Sequence, residues 1–131
     1  MTANTAPIFE LTPVNAGVTF VNADSTGLKS VYTAGACGGR IDGILVCSND
    51  TAAVNLAFYI NDGASDLYIG NVLVPIGSGY TTVVKVDALS TLRPASQPFL
   101  QLKAGNILKC NAVAAVTAAK VVTVLAIGGD F

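Results

Sequence analysis

The sequence contains no histidine and no tryptophan, a single glutamate, and only 11% Asp, Glu, Lys and Arg together. Each shortage closes a class of function. Histidine is the commonest general base and metal ligand near neutral pH. Without it a serine or cysteine nucleophile has no imidazole to activate it, and a mixed Cys/His zinc site cannot form. Glu10 and a scatter of aspartates offer no obvious carboxylate pair for glycoside chemistry. The lack of tryptophan removes the strongest aromatic platform for a sugar, and Tyr32, Tyr59, Tyr68 and Tyr80 serve equally well in a core or an interface. Lys29, Arg40, Lys85, Arg93, Lys103, Lys109 and Lys120 stand singly, and the net charge is −1. The chain therefore has no basic footprint for nucleic acid.

The remaining motifs have plain readings. Gly35-Ala36-Cys37-Gly38-Gly39-Arg40 is rich in glycine, but it lacks the terminal Lys-Ser/Thr of a phosphate loop and leads into a strand instead of a helix, so it reads as a turn. Asn61 to Asp66 does not follow the spacing of a calcium loop and suits a hairpin turn. Gly77-Ser78-Gly79 does not have the spacing of a nucleophile elbow. Cys37, Cys47 and Cys110 are odd in number and show no C-x-x-C spacing, which points to small buried hydrophobes in a reducing compartment. Cys47, inside an apolar run, is expected to be the least reactive. Met1 to Pro7 has no positive region followed by an apolar one, so no secretory signal is expected. Cys110 to Ile127 is long enough to suggest a membrane span, but Asn111, Thr117, Lys120 and Thr123 interrupt it. No catalytic, cofactor-binding or metal-binding residue is assigned.

What the chain does have is apolar residues, 52% of the total, in short runs separated by Gly, Asn, Asp and Pro. Strands are expected at Ile8–Thr12, Gly17–Val21, Lys29–Tyr32, Ile41–Cys47, Ala52–Ile60, Leu67–Val74, Thr81–Val86, Ile107–Val113 and Lys120–Ile127. The clearest alternation places Val54, Leu56, Phe58 and Ile60 on one face, and Asn61-Asp62-Gly63 then turns the chain back into Leu67–Val74. Pro94 and Pro98 mark an irregular crossing, and alanine-rich 112–119 is read as a loop between strands. Strands at this spacing predict an all-β fold, a single antiparallel β-sandwich domain with jelly-roll-like wiring over residues 1–131 and a flexible arm over about 1–7.

Lys120–Ile127 is apolar on both faces, so one face needs a cover beyond the second sheet. Val122 and Val124 are assigned to a candidate interface with another subunit. Arg40 and Asp42 are assigned to its polar rim, with a local ion pair as the alternative for these two.

Three landmarks carry a resemblance. Thr33-Ala34-Gly35-Ala36 runs through Gly39-Arg40-Ile41-Asp42 into a strand, Leu102-Lys103-Ala104-Gly105-Asn106-Ile107-Leu108 follows near the end, and Gly128-Gly129-Asp130-Phe131 closes the sequence. With Phe58-Tyr59-Ile60-Asn61-Asp62-Gly63 between them, the chain resembles small virion structural proteins of tailed bacteriophages. The resemblance implies a non-enzymatic β-sandwich, a head decoration or cement protein made in the host cytoplasm and located on the virion. Its implied partners are its own copies, as a trimer, and the major capsid protein, with neither nucleic acid nor membrane. A tail or head-fibre module contacting a host receptor and a carbohydrate-binding module share the same sequence features.

Overall fold

A computed structural model describes residues 9–131, and the arm expected over residues 1–7 lies outside the described residues. Among the described residues nine strands form: β1 (Thr12–Phe20), β2 (Lys29–Thr33), β3 (Gly39–Ser48), β4 (Val54–Asn61), β5 (Asp66–Val74), β6 (Val86–Asp87), β7 (Leu100–Leu102), β8 (Ile107–Ala112) and β9 (Val122–Asp130). A four-residue helix, α1 (Leu89–Leu92), lies between β6 and β7. One sheet runs β1-β9-β3-β6 with β7 also on β3, and the other runs β2-β8-β4-β5. All pairings are antiparallel.

The topology follows from one rule of pairing. β1 pairs with β9, β2 with β8, β3 with β6 and β7, and β4 with β5. The chain is thus a long antiparallel ribbon rolled so that its successive pairs fall alternately in the two sheets. β6 and β7 meet opposite ends of β3, at Leu45–Val46 and Gly39–Ile41, and together occupy one strand position. Eight positions wired in this way make a jelly roll, and the expected all-β sandwich is what the chain adopts.

Alternation builds the core. Phe20, Ile41, Ile44, Val46, Leu56, Phe58, Val74, Leu108, Cys110, Val122 and Val124 are all fully buried between the sheets. Burying each large apolar side chain contributes roughly 1.5–3 kcal/mol. The β4–β5 hairpin forms in the expected place, with Asn61 opposite Asp66 and the Asp62 carboxylate accepting the Ala64 and Ser65 amides at 3.0 and 2.9 Å. The loop expected over 112–119 is observed over residues 113–121, since Ala112 still belongs to β8 and residues 120 and 121, expected as strand, precede β9.

Three expected strands differ. Of the run Ile8–Thr12, Ile8 lies outside the described residues, residues 9–11 are not strand, and Thr12 opens β1, which takes in most of the run Gly17–Val21 and is not broken by Pro13 because β1 lies at a sheet edge. The run Thr81–Val86 is strand only at its last residue. Gly77 and Gly79 take φ of +70° and +79°, and Thr81 Oγ1 donates to the Gly77 carbonyl at 3.1 Å while accepting the Val83 amide at 3.2 Å. A side chain that serves the main chain locally replaces the ladder that β-branched residues would otherwise extend.

The 113–121 loop is held by a buried carboxylate. Asp50, 2% exposed, accepts the Thr117 hydroxyl at 2.6 Å, the Thr117 amide at 2.9 Å and the Ala52 amide at 3.0 Å. Burial alone would raise the Asp50 pKa, but these hydrogen bonds outweigh it and hold the carboxyl below the usual carboxylate range. A depressed carboxylate pKa contributes stability that is present above the unfolded value of about 3.9 and lost as pH falls through the folded one. With no histidine to titrate, the melting temperature is expected to stay level between about pH 5 and 8 and to fall below about pH 4. Asp50→Ala should cost roughly 2–3 kcal/mol at neutral pH and flatten part of that acid limb, as read by thermal melts across the pH series.

Candidate functional site

The glycine-rich turn folds at one end of the sandwich, where the Gly38 amide donates to the Gly35 carbonyl at 3.1 Å and Gly38 adopts φ +88°. It feeds β3 past a crowded point. A Cβ on Gly39 would overlap the Tyr32 hydroxyl, and one on Gly128 would overlap the Arg40 carbonyl. Tyr32, 4% exposed, donates its hydroxyl to Asp130 Oδ1, which also accepts the Gly35 amide at 3.1 Å. Burial, and then the hydrogen bond and negative charge of Asp130, push the Tyr32 pKa up, so its hydroxyl remains a donor.

The same end gathers segments that are far apart in sequence. The Ala34 amide donates to the Asn106 carbonyl at 2.9 Å, the Phe131 amide to the Gly38 carbonyl at 3.2 Å, and Asn61 sits opposite Ile107. All four stretches that carry the family resemblance therefore meet here. They form the knot that closes the roll.

On the outer side of this knot lies an ion cluster. Arg40 Nε is 2.6 Å from Glu10 Oε1 and 2.9 Å from Asp42 Oδ1, and the guanidinium stacks over the Phe99 ring with its carbon 4.9 Å from the ring centre. Arg40 and Asp42 are thus brought together as a local ion pair, although the buried Arg40 Nε has no carboxylate in hydrogen-bonding geometry. Asp42 is at a register shift between Ile41 and Gly43, where β3 bulges against β9 and turns this carboxylate outward. Glu10, contributed by the far end of the chain, and Phe99 carried no sequence signal for this site.

Val122 and Val124 do not form an outer interface. Both are fully buried between the sheets, and the outward residues of β9 are Thr123, Leu125 and Ile127. A strand apolar on both sides leaves its facing undecided, and a one-residue change of phase exchanges the two sets. Thr123, the polar member, was the available clue to the outer set. Across the sheet, Gly17, Leu125 and Leu45 form one row, and Thr19, Thr123 and Cys47 the next. Together with Ile127 and Gly43 they form an uncharged outer field. Tyr80 overhangs it, with Lys85 and Asp87 on the β6 side. The corresponding face of the other sheet is mixed, carrying Asn55, Asn71, Asn111, Tyr59 and Lys109 together with Ile107 and the exposed Leu73.

An open cleft of about 830 Å³ beside the ion cluster is lined by Cys37, Arg40, Gln101, Leu102, Lys103 and Phe131. Among the described residues no group of three or more Cys, Asp or Glu is placed to hold a metal ion. No described helix is long and apolar enough to cross a membrane.

No protein-family model matches the chain, and no curated protein matches it. Among solved structures it is similar to a chain of the "Acidic stable capsid structure of Helicobacter pylori bacteriophage KHP30", with a TM-score of 0.48 and 11% identity over 92% of this chain and 90% of that one.

The cysteines depart from the sequence expectation. All three are free, but Cys37 is exposed and Cys47 half-buried, and Cys110 alone is fully buried. Cys47 alternates with the inward Val46 and so lies on the outer field of β3. Burial pushes the Cys110 thiol up to about 12. A thiol reagent should therefore modify Cys37 first and Cys47 more slowly, and reach Cys110 only on unfolding. A reductant should leave the melting temperature unchanged, since it has no crosslink to remove. Equal labelling rates at Cys47 and Cys110 would contradict this order.

Proposed function

We propose that the chain is a non-enzymatic virion structural protein of a tailed bacteriophage, a head decoration or cement protein that binds the assembled capsid shell and stabilises it. The observation that carries this reading is the uncharged outer field of the five-stranded sheet around Leu45, Leu125 and Ile127. A jelly roll needs one face of each sheet for its own core, and an uncharged second face suits a partner better than water. The low overall charge supports the same reading, because a protein surrounded by its copies and a shell has less surface to keep in solution. The sequence resemblance supports it as well, since the segments that carry it form the closing knot of the fold. The partners in this reading are copies of the chain itself and the major capsid protein, and the place of action is the virion.

The mechanism is differential binding. A protein that binds the assembled shell better than the free subunit stabilises the shell by mass action, and many copies multiply a modest affinity. The ion cluster of Glu10, Arg40 and Asp42 lies at one margin of the field and sets a polar boundary to it.

Particles stripped of the protein should rupture at lower temperature than decorated ones, and adding the purified protein should restore them. Leu125→Asp, on the outer field, should fold but fail to restore. If stripped and decorated particles rupture alike while host adsorption collapses, the receptor-binding reading replaces this one.

A further inference from the structure

The two sheets present four outer edges, and three of them are blunted. β2 is five residues long, carries Lys29 and is broken by a register shift between Ser30 and Tyr32. β5 has a register shift opposite Phe58 and Tyr59, and α1 packs its Leu92 side chain against Gly70. The fourth position of the larger sheet is divided into the short β6 and β7. β1 is different. It is nine residues long, pairs with β9 without a shift and contains no charged residue, and the protections it does have, Pro13 and the Lys29 ammonium on the Thr19 carbonyl, stand near its two ends and leave the middle open. Natural edge strands of such length are ordinarily protected, because unpaired main-chain groups recruit another strand.

We infer that β1 is a docking edge for β1 of a second copy, paired antiparallel about a two-fold axis at Ala16, so that the five-stranded sheets of two molecules become continuous. Three observations fix this arrangement. First, the Thr19 carbonyl accepts Lys29 Nζ at 2.7 Å, which turns it away from β9. By the two-residue alternation of a strand, Pro13, Asn15 and Gly17 turn their main-chain groups to the same free side. Second, this register is self-complementary. Asn15 faces Gly17 of the second copy and exchanges both hydrogen bonds with it, and Thr19 faces Pro13. Proline has no amide to give the Thr19 carbonyl, and that carbonyl is the one Lys29 already serves. The pair then makes about six main-chain hydrogen bonds and leaves no free-side acceptor of Thr19 unmet.

Third, the core is open on this side. Val14, Ala16 and Val18 point inward from β1 and pack on the core, but each is only half-buried. In the inferred register Val14 lies opposite Val18 of the second copy and Ala16 opposite Ala16, so the join covers the side of the core that the single chain leaves exposed. Among the described residues no strand occupies that edge. A two-fold pair differs from the trimer that the family resemblance implies, and it concerns the free chain whether or not the virion reading holds.

Sedimentation of the full chain from about 5 to about 500 µM tests the pair, with a concentration-dependent dimer expected. Asn15→Lys puts like charges at diagonal positions beside the axis and should weaken dimerisation at least about tenfold while leaving the melting temperature at low concentration unchanged. A second measurement does not depend on that variant. In a Cys37→Ser background, Ala16→Cys places two thiols at a non-hydrogen-bonded pair with Cα atoms about 4.5 Å apart, close enough for a disulfide. It should crosslink two chains under mild oxidation much faster than Leu73→Cys, an exposed position on β5. A monomer over the whole range, an oligomer indifferent to Asn15→Lys, or crosslinking no faster at residue 16 than at residue 73 overturns the inference.

Discussion

The structure depends on where its last strand goes. β9 inserts between β1 and β3 and pairs along its whole length with β1 from Thr12↔Asp130 to Phe20↔Val122, and with β3 on its other side. Its inward residues Val122, Val124 and Ala126 fill the middle of the core, and its outward residues form the middle of the uncharged field. At its end, Gly128 and Gly129 let the Arg40 main chain and the Glu10 side chain approach more closely than a Cβ would allow. Asp130 then ties Tyr32 and the glycine-rich turn to the same point. Core, outer face and closing knot are all consequences of one placement.

The two faces of the larger sheet do different work for a simple reason of chemistry. Inside, packing demands apolar residues of complementary shape. Outside, nothing in the chain demands them, yet Leu45, Leu125 and Ile127 occupy positions where Thr or Lys would serve a solvated strand equally well. The four-stranded sheet differs in degree, since its outer face carries three asparagines, a tyrosine and a lysine beside Leu73 and Ile107. Charge at the uncharged field is confined to its margins, in the Arg40 cluster below, Lys85 with Asp87 on one side and Lys29 on the other. A polar boundary around an apolar centre is the usual anatomy of a surface that meets another protein.

What was legible in the sequence was local. The β4–β5 hairpin announced itself through period-two alternation and an Asn-Asp-Gly turn, signals contained within one stretch of chain. β3, β8 and the loop after β8 were legible on the same grounds. What could not be read depended on neighbours. Pro13 breaks a central strand and is harmless at an edge, so the unity of β1 followed from its place in the sheet. The facing of β9 followed from its register, and so did the error over Val122 and Val124. Thr81–Val86 had strand composition, but two left-handed glycines and the Thr81 hydroxyl captured it for a loop. The Arg40 cluster joins Glu10, Asp42 and Phe99 across a distance no spacing rule covers, though the Arg40–Asp42 pair itself was within reach.

The central position of β9 also determines when the molecule can come into being. During synthesis β1 and β3 leave the ribosome long before the strand that must lie between them, and neither can complete its sheet with what has been made. Only the β4–β5 hairpin has its partner close at hand. Contacts so distant in sequence form slowly, because a long stretch of chain must be brought to order before any of them is gained. The five-stranded sheet is therefore completed only once β9 has been made, and until then β1 has no partner strand and β3 has only the short β6 and β7. A chain wired in this way is most exposed to aggregation before β9 arrives.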